Sequence, residues 1–570
     1  MTDENPGAGG TPGAGYALIE AASDPTGVLT PTLAPDLLDD LTGFGDRRPV
    51  AAGEVLYRPG DEEWAFYVVL EGRLEIVRID GDTTEVVATY GPGEFVGELW
   101  MVTGQRPYLT ARAPVDGVAL EVEPAGLRRL LATKPAIADV VFGAFIARRE
   151  ALRSSSAALA VRIIGSRYSP GALALRTFAA RNRLAHTWID LEEAEDVEAL
   201  LAGMGLGPGD TPVVVTPTAV LRSATPGEFA SLLGLTYRPV PGHVFDLVVV
   251  GSGPAGLAAA VYGASEGLDT VALDVTGPGG QAGSSSRIEN YAGFPSGVSG
   301  GDLTARTAIQ AQRLGARLAS PCEAAGLRLE DGFHVVTLAD RSEVPCRAVI
   351  IASGARYRRL PVADLERFEG NGVYYAATDL EARSCGDSRV LVVGGGNSAG
   401  QAAVFLSQQG SRVSVVIRRA DLTSSMSRYL VDRIEADPAI DVLAATEVRA
   451  LAGGAHLASV TVEHTPTGRR WDIECSALFC FIGAVPATGW LDGSVVLDPK
   501  GFVLTDRTLP EADRADLRFG GREPLPFETS LPGVFAVGDV RLGSMKRVAA
   551  AVGEGSSAVR GVHEYLSATA

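Results

Sequence analysis

The sequence predicts a multidomain protein: an antiparallel β barrel or jelly roll, then a small α/β module, then two α/β domains with parallel sheets. The chain has 570 residues, whereas one hydrophobic core rarely serves more than about 250 residues. Residues 49–113 contain short β-type runs separated by Gly, Pro and Asp, which is typical of antiparallel sheets. Two glycine-rich turns, starting at Gly251 and Gly394, each join an apolar run to a helical one, as in parallel α/β folds.

Composition excludes several classes of function. The formal net charge is −19 and the pI is near 4.9, so phosphate backbones and anionic lipids are repelled. No run of about eighteen apolar residues occurs, and the acidic, Gly-rich start does not resemble a signal peptide. We therefore expect a cytoplasmic protein with neither a nucleic-acid partner nor a membrane partner.

The domain boundaries follow from changes in composition. The first residues are too rich in Gly, Pro, Thr and Ala to bury much surface, and the Pro-rich segment YRPVPG (237–242) reads as a hinge. The predicted divisions are a disordered tail (1–30), the β-rich domain (31–155), the small α/β module (160–237), one α/β domain in two parts (243–359 and 483–570), and a second inserted into it (360–482).

The first glycine turn, GSGPAG (251–256), follows the apolar run DLVVV and precedes an Ala-rich helix. This is the context that a dinucleotide-binding turn requires, because Gly251 permits the tight turn, Gly253 lets backbone N–H groups approach a pyrophosphate, and Gly256 allows close helix packing. An acid at the end of the next strand can bind ribose hydroxyls. The predicted ligands are Gly251, Gly253, Pro254, Ala255, Gly256 and Asp274.

The second glycine turn, GGGNSA (394–399), repeats the strand–turn–helix pattern, so we expect two bound nucleotides. Its next strand ends in two arginines rather than an acid, which suits the 2′-phosphate of NADPH. A solvated basic turn is the alternative. The predicted ligands are Gly394, Gly396, Asn397, Ser398, Ala399, Arg418 and Arg419. Near the C-terminus, Gly538 and Asp539 follow a strand where a carboxylate can hold flavin hydroxyls.

Residues from Phe245 to about Tyr565 resemble low-molecular-weight thioredoxin reductases. Besides the two turns, the resemblance rests on GGQ (279–281), IENY (288–291), ASG (352–354), FIGAVP (481–486) and KRVAAAVGEG (546–555). It implies two Rossmann-like domains of a two-dinucleotide flavoprotein, with FAD and NADPH as cofactors and a homodimeric assembly. By the same resemblance the flavin ring lies near Gln281, Asn290 and Arg547, and Gly280 of the GGQ loop also binds the cofactor.

One departure from that family concerns its redox disulfide. Where the family carries CATC, this chain reads AATD, with Ala376 and Asp379 in place of the two cysteines. Neither residue can perform thiol–disulfide exchange. The five cysteines form no CxxC pair, and Cys475 with Cys480 is the closest pair in sequence. No catalytic residue is therefore assigned, and Thr423 at an expected arginine position leaves NADH open beside NADPH.

Residues 51–113 resemble cyclic-nucleotide-binding domains through RPGDEEWAFYVVLEGRLEI and GPGEFVGEL. The resemblance implies a pocket at Gly97 and Glu98, with Glu98 on the ribose hydroxyl. The family's Pro-Arg order is inverted here, as Arg106-Pro107. Arg106 could bind a cyclic phosphate from a displaced position, or the pocket could accept another ligand or none.

Residues 161–235 resemble a thioredoxin-like or glutaredoxin-like module, with Thr211-Pro212 at the position of that fold's cis-proline. The segment SRYSP (166–170), which corresponds to the active turn, contains no cysteine. We therefore expect a spacer or a docking element rather than a catalyst.

Three functions remain open. The first is an FAD-dependent NADPH oxidoreductase whose acceptor, a small molecule or a redox protein, needs no enzyme dithiol, with regulation through the N-terminal domain. The second is a redox or nucleotide sensor with little turnover. The third is a thioredoxin-disulfide reductase that uses Cys475 and Cys480 as a non-standard dithiol.

Overall fold

The structure is a computed structural model, and it describes residues 27–569 apart from 99–102, 154, 194–200, 331, 379–380, 383–384, 387 and 516–518. Most of the tail expected at 1–30 lies outside these residues. The chain divides into two compact units. The first unit runs to Ser166 and includes Arg183–Ala224, and the second consists of Arg167–Asn182 and Thr225–Ala570.

The N-terminal part of the first unit is a jelly roll, as predicted. Two four-stranded antiparallel sheets form it, with the strand orders first–eighth–third–sixth and second–seventh–fourth–fifth. Gly72 and Gly81 turn the chain at positive φ, 81° and 58°, which a residue without a Cβ tolerates. The strands are Asp46–Val50, Val55–Tyr57, Phe66–Glu71, Leu74–Asp80, Thr83–Tyr90, Phe95–Val96, Thr110–Arg112 and Gly117–Val122.

Helices close one end of this jelly roll. They are Pro35–Leu41, Pro124–Thr133 and Pro135–Arg153. Each begins with a proline. Proline suits the first turn because N–H groups there have no helical partner, so its missing N–H costs no hydrogen bond. Leu127, Leu130 and Ile137 from these helices share one buried cluster with Phe66 and Phe95 of the strands.

The segment after the jelly roll contributes a four-stranded sheet to the first unit. Its order is Thr187–Asp190, Arg162–Gly165, Val213–Val215 and Val220–Leu221, with the first pair parallel and the others antiparallel. The Thr211–Pro212 peptide bond is cis. The segment DVEALLAGM (196–204), for which the sequence predicts a helix, falls partly on 194–200, outside the described residues.

Two helices of the same segment belong to the second unit: the linker helix, Pro170–Arg181, and Pro226–Leu233. Ser169 caps the linker helix by accepting from the backbone N–H of Ala172, and Pro170 opens its first turn. The predicted module 160–237 is thus divided between the two units, and its likeness to glutaredoxins stays a prediction.

The larger α/β domain of the second unit has a seven-stranded sheet. Strand Glu343–Ile351 lies at its centre, parallel to Phe245–Val250 and Val534–Ala536 and antiparallel to Phe333–Leu338. The remaining strands are Thr270–Leu273, Arg317–Ala319 and Ala324–Glu330. The helices are Pro254–Ser265, Gly300–Arg313 and Val548–Ala568.

The inserted α/β domain has a five-stranded parallel sheet and an antiparallel three-stranded sheet. The parallel order is Val373–Tyr374, Ala477–Cys480, Arg389–Val393, Arg412–Val416 and Ile440–Leu443. The antiparallel strands are Thr446–Gly453, Leu457–His464 and Arg469–Glu474, and the helices are Asn397–Gln408 and Arg428–Ala436. Strands Ala355–Tyr357 and Ala484–Pro486 pair where the chain leaves and re-enters the larger domain.

No single helix within the described residues has the length and apolar content needed to cross a membrane. The pair Pro124–Thr133 and Pro135–Arg153, bent by 115°, passes the same test on length and composition alone.

Candidate functional site

The first glycine turn joins strand Phe245–Val250 to helix Pro254–Ser265. Gly251 has φ +108°, and a Cβ there would lie 2.3 Å from the carbonyl oxygen of Ala352. A Cβ on Gly256 would lie 1.8 Å from the carbonyl oxygen of Gly251. These two glycines are therefore required by packing. Gly253 differs, because the nearest atom to its Cβ position is the Gly280 Cα at 3.8 Å, so this turn offers an open cradle to a ligand.

A cavity of about 880 Å³ opens beside the first glycine turn. This is at the large end of the range for cofactor sites. It brings together residues that are far apart in sequence. The predicted residues in its wall are Gly251, Gly253, Pro254, Ala255, Asp274, Gly280, Gln281, Asn290, Asn397, Ser398, Gly538, Asp539 and Arg547.

Asp274 lies in the cavity wall and also holds the surrounding backbone. Its Oδ2 accepts from the N–H of Ser252 at 2.7 Å, and its Oδ1 accepts from the N–H groups of Thr276 and Gly277, both at 2.9 Å. Each carboxylate oxygen can accept more than one hydrogen bond. Asp274 can therefore fix the turn and still accept from a ribose hydroxyl.

The C-terminal helix Val548–Ala568 positions the predicted flavin residues at 538–539. Oε2 of Glu554 accepts from the Gly538 N–H at 2.7 Å, while Oε1 pairs with Arg541 at 2.8 Å. A Cβ on Gly555 would lie 2.0 Å from the Ala255 carbonyl oxygen, so this helix and Pro254–Ser265 pack in direct contact. Burial raises the pKa of Asp539, and the Lys546 ammonium opposes that rise.

The other predicted flavin residues occupy different parts of the wall. Gln281 donates from Nε2 to the Ala355 carbonyl, which ties the loop 279–284 to the strand that leaves this domain. Asn290 and Arg547 are exposed, and Arg547 occupies the N-cap position of the C-terminal helix.

The second glycine turn presents the start of its helix to the same cavity. Asn397 and Ser398, the first residues of Asn397–Gln408, line the cavity, whereas Gly394, Gly396 and Ala399 do not. Asn397 is held by two bonds with Ser427: it donates to Oγ at 2.8 Å and accepts from N–H at 2.7 Å. The two predicted nucleotide turns therefore face one space.

Arg418 and Arg419 lie outside that cavity and are exposed. Arg419 donates to the Ser424 hydroxyl at 3.1 Å. Asp421 accepts from Thr423 at 2.7 Å and from the Ser424 N–H at 3.3 Å, and these bonds lower the pKa of Asp421. The two guanidinium groups are accessible to a phosphate, although a carboxylate lies nearby in the same turn.

The segment that replaces CATC begins beside the cavity. Ala376 is half-buried, and Asp379 lies outside the described residues. Tyr375 stacks on Tyr357 with ring centroids 6.2 Å apart and an interplanar angle of 16°, and its hydroxyl donates to Glu369 at 2.6 Å. An aromatic pair thus lies next to the position at which the resemblance expects a disulfide.

All five cysteines are buried free thiols. Burial raises the pKa of both Cys475 and Cys480 to about 12, and that of Cys385 to about 11. Cys322 lies in the cavity wall, where it accepts from the Tyr237 N–H and burial raises its pKa to about 11. None of these four thiols is poised as a nucleophile, because the thiolate is the reactive form.

Several residues of the cavity wall carried no recognisable sequence signal. Tyr357 and Trp490 line it from the two crossover segments. Arg181 lines it from the linker helix, 64 residues before Phe245. Only the fold shows that the linker helix ends here.

In the jelly roll, the predicted ligand Glu98 is 1% exposed and pairs with a residue that sequence reasoning missed. Arg148, on helix Pro135–Arg153, donates from Nη1 to Glu98 Oε1 at 2.7 Å and to the Phe95 carbonyl at 2.9 Å. Its guanidinium also lies 4.6 Å from the Tyr90 ring centroid. Burial acts to lower the pKa of Arg148, but Glu98 and Tyr90 raise it overall.

Two polar atoms of this buried pair have no hydrogen-bond partner within the described residues: Oε2 of Glu98 and Nη2 of Arg148. Gly97 has φ +102°, and its Cβ would lie 2.7 Å from the Ala65 carbonyl oxygen, which explains the glycine. Arg106 forms an ion pair with Glu62. One buried acceptor and one buried donor are therefore left without a protein partner among the described residues.

Two family models match the chain. The model described as pyridine nucleotide-disulphide oxidoreductase matches residues 245–555, and the model described as cyclic nucleotide-binding domain matches residues 47–134. The thioredoxin reductase of Mycoplasmopsis pulmonis is 30% identical over 55% of this chain and 95% of its own length. That of Listeria innocua is 31% identical over 57% of this chain and 94% of its own length.

Solved structures agree with these matches. The thioredoxin reductase of Lactococcus lactis, in the conformation called FR, has 27% identity and a TM-score of 0.51 over 56% of this chain and 98% of that one. The T. acidophilum thioredoxin reductase has 27% identity and a TM-score of 0.51 over 57% of this chain and 99% of that one. Both support the predicted fold of the second unit. The family match also confirms the predicted cofactors, FAD and NADPH, and the open cradle at Gly253 fits a dinucleotide.

Proposed function

Since this chain belongs to the family of pyridine nucleotide-disulphide oxidoreductases, we propose that it oxidises NADPH through FAD and passes the electrons to an acceptor without an enzyme dithiol. One observation carries this proposal. The helices that follow the two glycine turns begin at Gly253–Pro254 and Asn397–Ser398, and both starts line a single cavity. Cys322 also lies in its wall, and burial raises the pKa of this thiol to about 11.

The chain's own residues would bind and align the cofactors. When bound, FAD and NADPH supply the hydride chemistry themselves. The helix that starts at Pro254 would offer its free N–H groups and its positive end to a diphosphate. Asp274 and Asp539 would accept from the sugar hydroxyls, and Asn397, fixed by Ser427, would keep the second helix start in place for the nicotinamide coenzyme.

Anaerobic stopped-flow mixing with NADPH tests the proposal. The flavin absorbance near 450 nm should bleach, and a panel of oxygen, quinones, flavodoxin, ferredoxin and thioredoxin should then restore it selectively. NADH in place of NADPH should act more slowly if Arg418 and Arg419 bind the 2′-phosphate. A flavin-loaded protein that neither coenzyme bleaches would be a sensor without turnover, and the proposal would fail.

Reduction of thioredoxin would favour the dithiol alternative over the proposed one. Cys475 and Cys480 are its only close candidates in sequence, so a Cys475→Ser/Cys480→Ser variant decides the matter. Loss of thioredoxin reduction with unchanged flavin bleaching would assign the dithiol role to these thiols. Both thiols are buried with pKa values near 12, and we expect no thioredoxin reduction by the unchanged chain.

Regulation by a nucleotide at the jelly roll is a second candidate function. The unpartnered atoms of Glu98 and Arg148 favour it, because buried polar atoms normally have partners. A ligand that couples to the flavin site by about 1–3 kcal/mol would change the affinity at either site ~5- to 150-fold, reciprocally. Titration with cyclic AMP and cyclic GMP during NADPH oxidation tests this, and unchanged rates with no heat of binding would exclude both ligands.

The homodimer and the cytoplasmic location expected from the sequence remain predictions. Sedimentation velocity of the full chain with and without FAD measures the first.

A further inference from the structure

Arg181 is the last residue of the linker helix, and it enters the cavity wall from outside the matched segment 245–555. Its Nη1 donates to the carbonyl of Gly280. A Cβ on Gly283 would lie 3.3 Å from the same Nη1, which is a tight contact, so the glycine leaves room for the guanidinium. A Cβ on Gly279 would lie 3.5 Å from it, in ordinary van der Waals contact.

The loop that receives Arg181 is in direct contact with the first glycine turn. A Cβ on Gly280 would lie 2.8 Å from the Gly253 Cα, so the two backbones touch. The Gly279 N–H also donates to the Ser252 carbonyl at 2.8 Å. The guanidinium therefore lies one loop residue away from Gly253, the open glycine of the first glycine turn.

The charge of Arg181 has no protein counterion within the described residues. Asp274 is the acid that acts on it most strongly, but the two form no ion pair. Partial burial lowers the pKa of Arg181. A cation placed in a wall without a paired anion is costly unless a ligand supplies the negative charge.

A neighbouring residue fixes the end of the linker helix independently of this charge. Asn182 donates from Nδ2 to the Thr276 carbonyl at 3.2 Å, and its Oδ1 accepts from the Ser320 hydroxyl at 3.2 Å. The helix end is thus anchored to the loop 274–280 and to the residue after strand Arg317–Ala319. Arg181 is not needed as the sole anchor, which leaves its charge to be explained.

We propose that Arg181 is an FAD-binding residue whose guanidinium donates to the diphosphate of the flavin nucleotide. This inference rests on the FAD-binding site of the proposed function. It adds an FAD-binding residue that lies outside the segment shared with other reductases. The guanidinium suits the role because it presents several N–H donors in a plane and binds phosphate oxygens in pairs.

Titration of flavin-free full chain with FAD, followed by the quenching of flavin fluorescence, tests the inference without NADPH. Arg181→Met should raise the Kd for FAD about 10- to 100-fold, the usual range for a lost charge-assisted hydrogen bond. Arg181→Lys keeps the charge, so its Kd for FAD should lie between those of Arg181→Met and the unchanged chain. Added salt should weaken FAD binding less in Arg181→Met, because one screened attraction is gone.

Two matched variants separate charge from scaffolding. Asn182→Ala removes the neutral anchor to Thr276, and Arg306→Met removes an exposed positive charge from helix Gly300–Arg313. Both should bind FAD within threefold of the unchanged chain. Far-UV circular dichroism and the melting temperature of each flavin-free variant verify folding, and Arg181→Gln replaces Arg181→Met if the latter does not fold.

Two outcomes would overturn the inference: a Kd for Arg181→Met within threefold of the unchanged chain, or an equal loss in Asn182→Ala. Because NADPH is absent from this titration, FAD binding that depends on Arg181 can coexist with a flavin that NADPH never bleaches. The failure of the proposed function and the failure of this inference are therefore distinguishable.

Discussion

Arg148 keeps its positive charge although it is 1% exposed. The charge persists because the guanidinium donates to Glu98 and two backbone carbonyls, Leu29 and Phe95, and lies over the Tyr90 ring. A buried ion pair often adds little net stability, but breaking one is costly because the remaining charge has no solvent. The pair therefore acts as a fixed internal feature of the jelly roll.

Arg148→Met should lower the free energy of unfolding of the jelly roll by about 3–5 kcal/mol, because Glu98 would be left buried without its partner. Calorimetric melting of the full chain, in which the affected transition moves down, measures this. Adding Glu98→Leu to Arg148→Met should recover part of the loss. Additive losses in the double variant would show that the two side chains do not depend on each other.

His334 is a buried titratable group in the larger α/β domain, 1% exposed. Burial lowers its pKa from 6.5 to about 4, and a backbone group at Pro532 offsets part of that change. The folded state therefore favours the neutral ring. Its stabilising contribution is fully present above pH 6.5 and is lost as the pH falls from 6.5 towards 4.

His334→Leu should flatten the loss of stability between pH 6.5 and 4. A difference of about 2.5 pKa units corresponds to ~3 kcal/mol at most. Urea midpoints of both chains at pH 7.0, 5.5 and 4.5 measure the effect, with the carboxylates common to both. Identical acid slopes in the two chains would show that His334 is not the group that titrates.

At the scale of elements, the first glycine turn shows what sequence can and cannot predict. The spacing GxGxxG predicted the strand, the turn and the helix, because each glycine has a steric reason in a pattern of local residues. It also predicted that Gly251 and Gly256 serve the turn and the packing, whereas Gly253 faces the ligand. It did not predict Ala352 and Gly280 as the neighbours of these glycines, because the fold brings them from elsewhere in the chain.

Gly256→Ala should destabilise the second unit by at least about 3 kcal/mol, because its Cβ would overlap the Gly251 carbonyl oxygen. Gly253→Ala should change the melting temperature of the flavin-free chain little, since its φ of −72° suits alanine and space is open. The same variant should weaken FAD binding, because the added methyl group would occupy space that the proposed function assigns to the diphosphate. Melting curves and FAD titration together measure both effects. Equal destabilisation by the two variants would remove the distinction.

The linker helix shows why other parts of the site could not be predicted. Ser169 and Pro170 mark its start, and its alternation with strands placed it in the small α/β module. Its membership of the second unit depends on long-range contacts such as Asn182 with Thr276. No local pattern records such contacts, so Arg181 and Arg148 both escaped the sequence analysis.

At the scale of the whole molecule, the fold class and the cofactors followed from the sequence because they rest on repeated local motifs. The electron acceptor did not, because the surface beside a flavin selects it and no motif encodes that surface. The five thiols lie in the α/β domains of the second unit, each at 7% exposure or less. Because all five thiols are buried, their reactivity tests the proposed mechanism without a dithiol.

The native chain should react with less than one equivalent of a disulfide reagent such as DTNB within minutes at pH 7.5, since burial excludes the reagent and keeps the described thiols protonated. All five thiols should react after denaturation. Prior reduction with NADPH should not change the native count. Two additional rapidly reacting thiols after NADPH treatment would show a hidden redox pair and contradict a mechanism without a dithiol.

The anchoring of loop 274–280 by Arg181 and Asn182 has a practical consequence for anyone who subclones the catalytic half. The shared segment begins at Phe245, and the Pro-rich stretch just before it looks like a natural place to cut. A fragment started there would keep every recognisable nucleotide motif and lose the helix that ends at Arg181. A fragment for expression should therefore begin before Ser169. Fragments that begin later should carry less bound FAD per milligram after purification, and their yellow colour should be weaker.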